Sequence, residues 1–277
     1  MDKENYKGLV AIVTGASSGI GKAVSLQLAG QGANLALAAR DAERLDALRI
    51  ECDGRGGKAI VVPTDVAIEA QCQALVQETI EQFGKLDMLV NNAGFGVGAR
   101  FQDFSDLSLF KKVMEVNFNG SLYCTFYALP HLIQSRGRIV MVSSLGGRFP
   151  LPYNTPYIAS KFAMTGFCDA LRMELVKQDV SVTVIYPSWV VSEFHERFQN
   201  KEGQATGARG RKLYTKRTMT SDRCAQILLK AAWERSREMV MPPGKIAMWL
   251  KLIAPGLLDK IIVERFFRPA VGRIPRK

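Results

Sequence analysis

The chain has 277 residues, 47% of them apolar and 23% charged, which is the composition of a globular protein near the upper size of one hydrophobic core. Its five cysteines are widely spaced and form no CxxC or Cys/His pair, so neither a disulfide framework nor a metal site is predicted, and a reducing compartment such as the cytoplasm is expected. The formal charge of +11 does not indicate nucleic-acid binding, because residues 1–206 hold 20 Lys/Arg against 21 Asp/Glu and residues 207–277 carry the whole excess.

Apolar, β-branched runs recur along the chain between stretches whose apolar residues are spaced three and four apart. Residues 1–8 contain acids and no apolar run, which is not the pattern of a secretory signal. The runs are LVAIVTG at 9–15, NLALAAR at 34–40, AIVVPTDV at 59–66, LDMLVNNAG at 86–94, GRIVMVSS at 137–144, SVTVIYP at 181–187 and EMVMPP at 238–243. Continuous rather than alternating hydrophobicity indicates strands buried on both faces. The pattern predicts one α/β domain with a doubly wound parallel sheet of the Rossmann-like kind.

A glycine-rich turn joins the first strand to the first helix, with the sequence TGASSGIG at 14–21. Such a turn lets backbone N–H groups approach a pyrophosphate at the positive end of a helix. The spacing Gly-x3-Gly-x-Gly departs from the general dinucleotide fingerprint, and a tight turn can need glycine for structural reasons alone. The predicted contacts to a dinucleotide cofactor are Gly15, Ser17, Ser18, Gly19, Ile20 and Gly21.

The end of the second strand bears on which dinucleotide is bound. Enzymes that prefer NAD place an acid there for the ribose 2′-hydroxyl, whereas this strand ends in Arg40, whose guanidinium can pair with a 2′-phosphate. NADP(H) is therefore favoured over NAD(H). The alternatives are that Arg40 is only a solvated residue, and that Asp41 reaches the ribose.

Tyr157 and Lys161 are four residues apart on a predicted helix, so they share one helix face. A phenol with a pKa near 10 exchanges protons poorly at neutral pH, and a nearby ammonium favours the phenolate. Ser144 ends the preceding strand, where its hydroxyl can hold the same substrate oxygen. These residues are the predicted catalytic group.

With these motifs in order, the chain resembles a classical short-chain dehydrogenase/reductase from about Gly8 to Pro243. The resemblance implies that Asp65 and Val66 contact the adenine, and that Asn117 supports a proton relay as a fourth catalytic residue. It also implies that Tyr157 and Lys161 contact the cofactor. The further cofactor contacts that it implies are Asn91, Ala93, Gly94, Pro187 and Val190. The family's Pro-Gly after the sixth strand is here Pro187-Ser188, which weakens the match at the nicotinamide.

The function that the resemblance implies is hydride transfer between NADP(H) and a carbonyl or alcohol. Similarity of YIASKFAMTGF at 157–167 to hydroxysteroid-type members, together with the apolar tail, favours an apolar ketone, steroid or lipid-like substrate. Members of the family commonly form dimers or tetramers, so a homo-oligomer is expected. The alternatives are a catalytically silent NADP-binding sensor and a membrane-associated scaffold of the same fold.

Two regions depart from the alternating pattern, so the chain is divided into a catalytic domain at 1–243 and a basic amphipathic extension at 244–277. Residues 188–220 are polar and long for a structural loop, which predicts a substrate lid. The extension predicts two short amphipathic helices broken at Pro255-Gly256, too short and too charged to cross a bilayer. It is expected to lie on a membrane surface or at a substrate entrance; the alternative is packing against the domain or a second subunit.

Overall fold

The computed structural model describes residues 5–207, 218–242 and 244–271, and for residues 265–271 the backbone alone. Its main sheet has seven parallel strands in the order β3-β2-β1-β4-β5-β6-β9. The strands are β1 (Val10–Thr14), β2 (Asn34–Ala39), β3 (Lys58–Pro63), β4 (Met88–Asn91), β5 (Arg138–Val142), β6 (Ser181–Tyr186) and β9 (Glu238–Val240). Each lies within one of the seven predicted runs or within one residue of it, and the predicted doubly wound fold is confirmed.

Helices cover both faces of the sheet. They are α1 (Gly19–Ala29), α2 (Ala42–Asp53), α3 (Glu69–Phe83), α4 (Ser108–Met114), α5 (Gly120–Ser135), α6 (Thr155–Glu174), α7 (Phe194–Arg197), α8 (Ser221–Trp233), α9 (Gly244–Ile253) and α10 (Pro255–Val271). Local side chains fix several of their starts: Asp41 accepts a hydrogen bond from the Arg44 amide at 3.1 Å, and Thr220 caps α8 through the Arg223 amide at 3.2 Å.

Two hydrophobic clusters form the core, one on each face of the sheet. Apolar residues of α3, α5 and α6 pack on one face, and those of α1, α2 and α8 pack on the other. The central strands β1, β4 and β5 contribute side chains to both clusters, which is why their sequences are apolar without alternation. This double packing makes the sheet a rigid base, so groups at the ends of its strands hold fixed positions.

The predicted lid, residues 188–220, and the tail contain structure that the sequence pattern predicted only in outline. Residues 208–217 of the lid lie outside the described residues, and its role as a substrate lid stays a prediction. Within the lid, β7 (Val190–Val191) pairs in parallel with β8 (Met219–Thr220), beside the four-residue helix α7. The tail does form two helices, but the break falls at Ala254, and Pro255-Gly256 begin α10. Proline is well tolerated at the first helical position because its missing N–H has no partner there anyway. The division at residue 243 stays a prediction.

Candidate active site

The predicted site residues gather along one edge of the sheet, because every strand of a parallel sheet ends there. Gly15 follows β1, Arg40 follows β2 and Asp65 follows β3. The segment 92–94 follows β4, and Ser144 lies two residues beyond β5. The order of the strands reverses between β1 and β4, and this is where a crevice opens in doubly wound sheets.

Tyr157, Lys161 and Ser144 meet at the ends of β4 and β5. The Lys161 Nζ lies 5.6 Å from the centroid of the Tyr157 ring, one helical turn away on α6. Lys161 is 3% exposed and donates to the Val142 carbonyl at 3.0 Å, so the last residue of β5 fixes the ammonium. The Ser144 hydroxyl accepts a hydrogen bond from the Gly146 amide at 3.1 Å and also hydrogen-bonds Tyr157.

Asn117 lies in a π-helical segment, Glu115–Asn119, between α4 and α5. Single π turns inside longer helices frequently mark functional sites. The Asn117 side chain is fully buried; it accepts from the Phe95 amide at 3.0 Å and donates to the Phe95 carbonyl and to the Ser160 hydroxyl. A Cβ on Gly94 would lie 3.0 Å from Asn117 Oδ1 and 3.7 Å from Lys161 Nζ. Asn117 is thus adjacent to the Tyr157 and Lys161 group.

Burial changes the acidity of both ionisable members of this group. It raises the pKa of Tyr157 to about 12, although the hydrogen bond with Ser144 partly offsets the increase. It lowers the pKa of Lys161 to about 7. The expected lowering of the Tyr157 pKa by Lys161 is therefore wrong for the protein groups alone: burial is the dominant cause of the shift, only Ser144 opposes it, and the Lys161 amine is directed at the Val142 carbonyl.

The glycine-rich turn packs closely against residues 92–93, and its surface is mostly backbone. Gly15 has φ +64°, and a Cβ there would lie 2.9 Å from Ala93 Cα, while a Cβ on Gly21 would meet the Gly15 carbonyl. Asn92, which was not among the predicted cofactor contacts, donates to the carbonyls of Thr14 and Gly15 and so fixes the turn. The Thr14 hydroxyl in turn accepts from the amides of Asn92 and Ala93.

The first turn of α1 suits an anionic group. Ser18 occupies its N-cap without a side-chain capping bond, and the first turn contains no acid. The positive end of the helix dipole and its first amides are thus available to a phosphate. Ser17, Gly19 and Ile20 border this end and are partly exposed. A dinucleotide pyrophosphate fits this cradle, whose shape requires glycine: a Cβ at Gly15 or Gly21 would collide with the turn or with residues 92–93 and distort it.

The ends of β2 and β3 form the other half of the cofactor crevice. Arg40 is exposed, and among the described residues no hydrogen bond or ion pair holds its guanidinium. The Asp65 amide donates to Gln71, and its carboxylate accepts from the Ala67 amide at 3.1 Å, while Val66 is buried against Gly120. Asn91 is buried and donates to Thr125, which leaves its Oδ1 without a hydrogen-bond partner.

The lid begins directly over the cofactor turn. The Pro187 carbonyl accepts from the Leu145 amide at 3.1 Å, so the chain after β6 lies beside Ser144. Val190 is buried in β7, and a Cβ on Gly19 would lie 3.0 Å from Ser192 Cβ. The lid therefore covers the turn after β1 as well as the catalytic group.

Aromatic residues of the lid form a wall over Tyr157 that sequence reasoning missed. The Phe194 ring lies 5.8 Å from the Tyr157 ring and 6.0 Å from the Phe198 ring. Phe198 fits against Gly96 and Gly98: a Cβ on Gly98 would lie 2.7 Å from its ring, and a Cβ on Gly96 would overlap it. The sequence signal for this wall was the Gly-x-Gly at 96–98, after β4. Its role is evident only in the structure, where the Phe198 ring packs against both glycines.

A second lid contact joins it to α2. Arg44 forms an ion pair with Glu193 at 2.7 Å and with Asp41 at 3.3 Å, and Arg197 also reaches Glu193. Arg44 and Glu193 are 149 residues apart in sequence, so no local pattern could reveal their ion pair. The lid is therefore attached at both ends of the crevice, to α2 and to the loop after β4.

Comparison with known proteins agrees with this geometry. The model of the short chain dehydrogenase family matches residues 9–203. An 11-beta-hydroxysteroid dehydrogenase of Pinus massoniana is 37% identical over 92% of this chain and 73% of its own length. An 11-beta-hydroxysteroid dehydrogenase-like 2 protein of Arabidopsis thaliana is 33% identical over 94% of this chain and 82% of its own length.

Among solved structures, an alcohol dehydrogenase from the archaeon Thermococcus sibiricus, complexed with 5-hydroxy-NADP, is similar with a TM-score of 0.73. It is 26% identical, and the alignment covers 85% of this chain and 96% of that one. The family match spans more than half of the chain and agrees with the sheet order and with the turn after β1. The chain belongs to the short-chain dehydrogenase family and is an oxidoreductase that acts on CH–OH or C=O groups.

Proposed function

We propose that the protein is an NADP(H)-dependent oxidoreductase that interconverts an apolar ketone and its alcohol. The observation that carries the proposal is the meeting of Ser144, Tyr157 and Lys161 beside Asn117 at the ends of β4 and β5. When bound, the nicotinamide supplies or accepts the hydride at its C4. The protein groups then have to hold the substrate oxygen and move one proton.

Tyr157 is the proton donor during reduction. With a pKa raised to about 12, it is protonated at neutral pH and can donate its proton to the developing alkoxide. Ser144 already hydrogen-bonds the phenol and can hold the same substrate oxygen, which stabilises the charge that develops there. In oxidation the same groups act in reverse: Tyr157 first loses its proton, and the phenolate then accepts the proton of the alcohol.

Lys161 and Asn117 support this proton transfer. Burial lowers the pKa of Lys161 to about 7, so its amine can change protonation state near neutral pH. Its Nζ lies beside Gly94, where it can also bind the ribose next to the nicotinamide. Asn117, which bonds the Phe95 backbone on both sides of its amide, holds the loop after β4 in place and can order a relay water.

The cofactor site follows from the same crevice. The residues that would hold the pyrophosphate are Gly15, Ser17, Ser18, Gly19, Ile20 and Gly21, and those that would line the adenosine and nicotinamide ends are Arg40, Asp65, Val66, Asn91, Ala93, Gly94, Pro187 and Val190. The exposed guanidinium of Arg40 at the end of β2 supports a preference for the 2′-phosphate of NADP(H). The structural relative that is complexed with 5-hydroxy-NADP supports the same preference.

The substrate class is inferred from the wall of the site. Phe194 packs on Tyr157, Phe198 packs on Phe194, and Trp189 stacks on His195 with their ring centroids 4.7 Å apart. Such a wall suits a flat apolar substrate better than a charged or strongly hydrated one. The relatives named as 11-beta-hydroxysteroid dehydrogenases support a steroid or another lipid-like ketone.

We also propose a homo-oligomer in a reducing compartment such as the cytoplasm. All five cysteines are free and buried, which suits a reducing environment. Large apolar residues on α5 and α6 are well exposed, among them Phe126 at 67% and Met173 at 70%. Light scattering coupled to gel filtration measures the oligomeric state, and a monomer at all concentrations would remove this part of the proposal.

Replacement of Tyr157 by Phe tests the proposed function. Only the hydroxyl is lost, so NADPH affinity should persist while the rate of NADPH oxidation with a panel of ketones falls about 100- to 10,000-fold. Tyr127→Phe is the matched control, because the Tyr127 hydroxyl bonds Glu69 on the surface between α3 and α5. Near-native turnover in Tyr157→Phe, or an equal loss in the control, would contradict the assignment.

A further inference from the structure

The two tail helices carry apolar side chains on two faces. On the inner face, Ala247, Met248, Leu250 and Ile262 pack against the core, and Leu258 is 4% exposed. The outer residues are Ile246, Trp249, Leu252, Ile253, Leu257, Ile261 and Val263, which are 47% to 77% exposed. Packing against the domain therefore accounts for the inner face only. The seven exposed residues form the outer apolar face.

The spacing of these residues places most of them on continuous stripes. Ile246, Trp249 and Ile253 follow one side of α9 at intervals of three and four, and Leu257 and Ile261 do the same on α10. The two helices contact each other, so the stripes belong to one region of the surface. A contiguous apolar region rimmed by polar residues marks an interaction surface in a soluble protein.

Charge distinguishes between the possible occupants of this face. Residues 245–277 contain eight Lys/Arg and two Asp/Glu, whereas residues 1–206 are nearly balanced. A second copy docked on the same face would bring two basic segments together, and like charges across an interface oppose association. A surface of anionic lipid headgroups instead attracts the basic residues while it accepts the apolar ones. Trp249, 67% exposed, is a residue type that favours the headgroup boundary.

We propose that the outer apolar face of α9 and α10 docks on an anionic lipid surface. No helix among the described residues is long and apolar enough to span a bilayer, and peripheral docking needs none. Short amphipathic helices of this composition lie in the plane of the interface, with their apolar side chains inserted partway below the headgroups.

The position of α9 connects this surface to the site. Its first residue, Gly244, lies against Leu145, the residue after Ser144. Lys251 donates to the Arg148 carbonyl at 2.8 Å and lies 4.7 Å from the Phe162 ring centroid on α6, the helix that carries Tyr157. Docking thus brings the rim of the crevice to the lipid surface. An apolar ketone dissolved in the membrane can then reach the site by a short route; this entry route rests on the proposed function, whereas the docking does not.

Vesicle flotation with the full chain tests the docking. Vesicles of phosphatidylcholine alone are compared with vesicles that also contain phosphatidylserine, at low and at high salt. The expected result is binding to the anionic vesicles that weakens at high salt. The variant Trp249→Ser with Ile253→Ser should weaken binding at least about tenfold, because two exposed side chains no longer insert. Ile50→Ser on α2 is the matched control, since Ile50 is 63% exposed and lies away from α9 and α10 in the chain.

Two further measurements keep the outcomes distinct. NADPH oxidation with a water-soluble ketone should be unchanged in the double variant, which shows that it is folded and separates failure of docking from failure of the proposed function. Light scattering without lipid should give the same mass for both proteins. Absence of vesicle binding by the full chain overturns the docking. So does a loss of mass in the variant, because the face would then be an interface between two copies.

Discussion

The buried amine of Lys161 should make the protein less stable at neutral pH than a variant without it. Burial lowers its pKa from 10.5 to about 7, so between these values the unfolded chain binds a proton that the folded chain does not. The free energy of unfolding then rises with pH. The cost of Lys161 is complete below pH 7 and disappears above about pH 10.5. Lys161→Met should therefore stabilise the protein in the lower part of this window.

The structure sets the size of the effect. A pKa difference from 10.5 to about 7, at about 1.4 kcal/mol per pH unit, corresponds to roughly 5 kcal/mol at pH 7. Methionine also removes the hydrogen bond to the Val142 carbonyl, whose loss costs about 1–3 kcal/mol at any pH. The net gain expected for Lys161→Met is about 2–4 kcal/mol near pH 7. Near pH 10 the sign reverses, and the variant should be the less stable protein.

Urea unfolding of the cofactor-free protein at a series of pH values measures this difference, since urea adds no ions. The difference between wild type and variant is the quantity of interest, because every other titrating group cancels. Lys230→Met is the matched control: Lys230 lies on the exposed face of α8, 3.8 Å from Glu234, and its loss should change the free energy of unfolding by less than about 0.5 kcal/mol. A difference for Lys161→Met that does not vary with pH would refute the reasoning.

Two other substitutions test the cofactor crevice and the lid. Arg40→Ala should raise the NADPH dissociation constant about 10- to 100-fold and leave that of NADH unchanged, because a charge-assisted contact to phosphate contributes about 1.5–3 kcal/mol; titration calorimetry measures both, and equal losses would contradict the phosphate contact. Gly96→Ala should raise KM for apolar ketones with little change in NADPH affinity, because its Cβ would lie 2.7 Å from Phe198 Cδ2 and displace the ring. Steady-state kinetics measure the change, and an unchanged KM would show that the fit of Phe198 does not shape the substrate site.

The sheet was predictable because its signals are local. Each strand is a short apolar run. Its hydrophobicity is continuous because the strand is buried on both faces, and burial on both faces is typical of a parallel sheet. The positions of Gly15, Ser144 and Tyr157 followed from the sheet, since the ends of parallel strands share one edge. A local pattern together with one topological rule was enough to bring residues more than 100 positions apart into one crevice.

The contacts of the lid were not predictable, because they depend on residues that are distant in sequence. Phe198 has a place only where Gly96 and Gly98 leave room for its ring, and Glu193 is fixed by Arg44 on the opposite side of the crevice. The same limit explains the pKa of Tyr157. Sequence spacing identified the neighbouring Lys161. The desolvation that raises the pKa of Tyr157 comes instead from the packing of the whole crevice.

Two features that cost stability lie where the chemistry is proposed to occur. Lys161 is buried at the expense of its charge, and the buried Oδ1 of Asn91 has no hydrogen-bond partner. Both lie at the carboxyl edge of the sheet, although buried polar atoms without a hydrogen-bond partner also occur elsewhere, among them the hydroxyls of Ser181 and Thr183 on β6. A fold selected for stability alone would replace Lys161 with an apolar residue of similar length. Its retention is explained if an amine at that position is needed for proton transfer at Tyr157 and for the ribose, so that stability is exchanged for turnover.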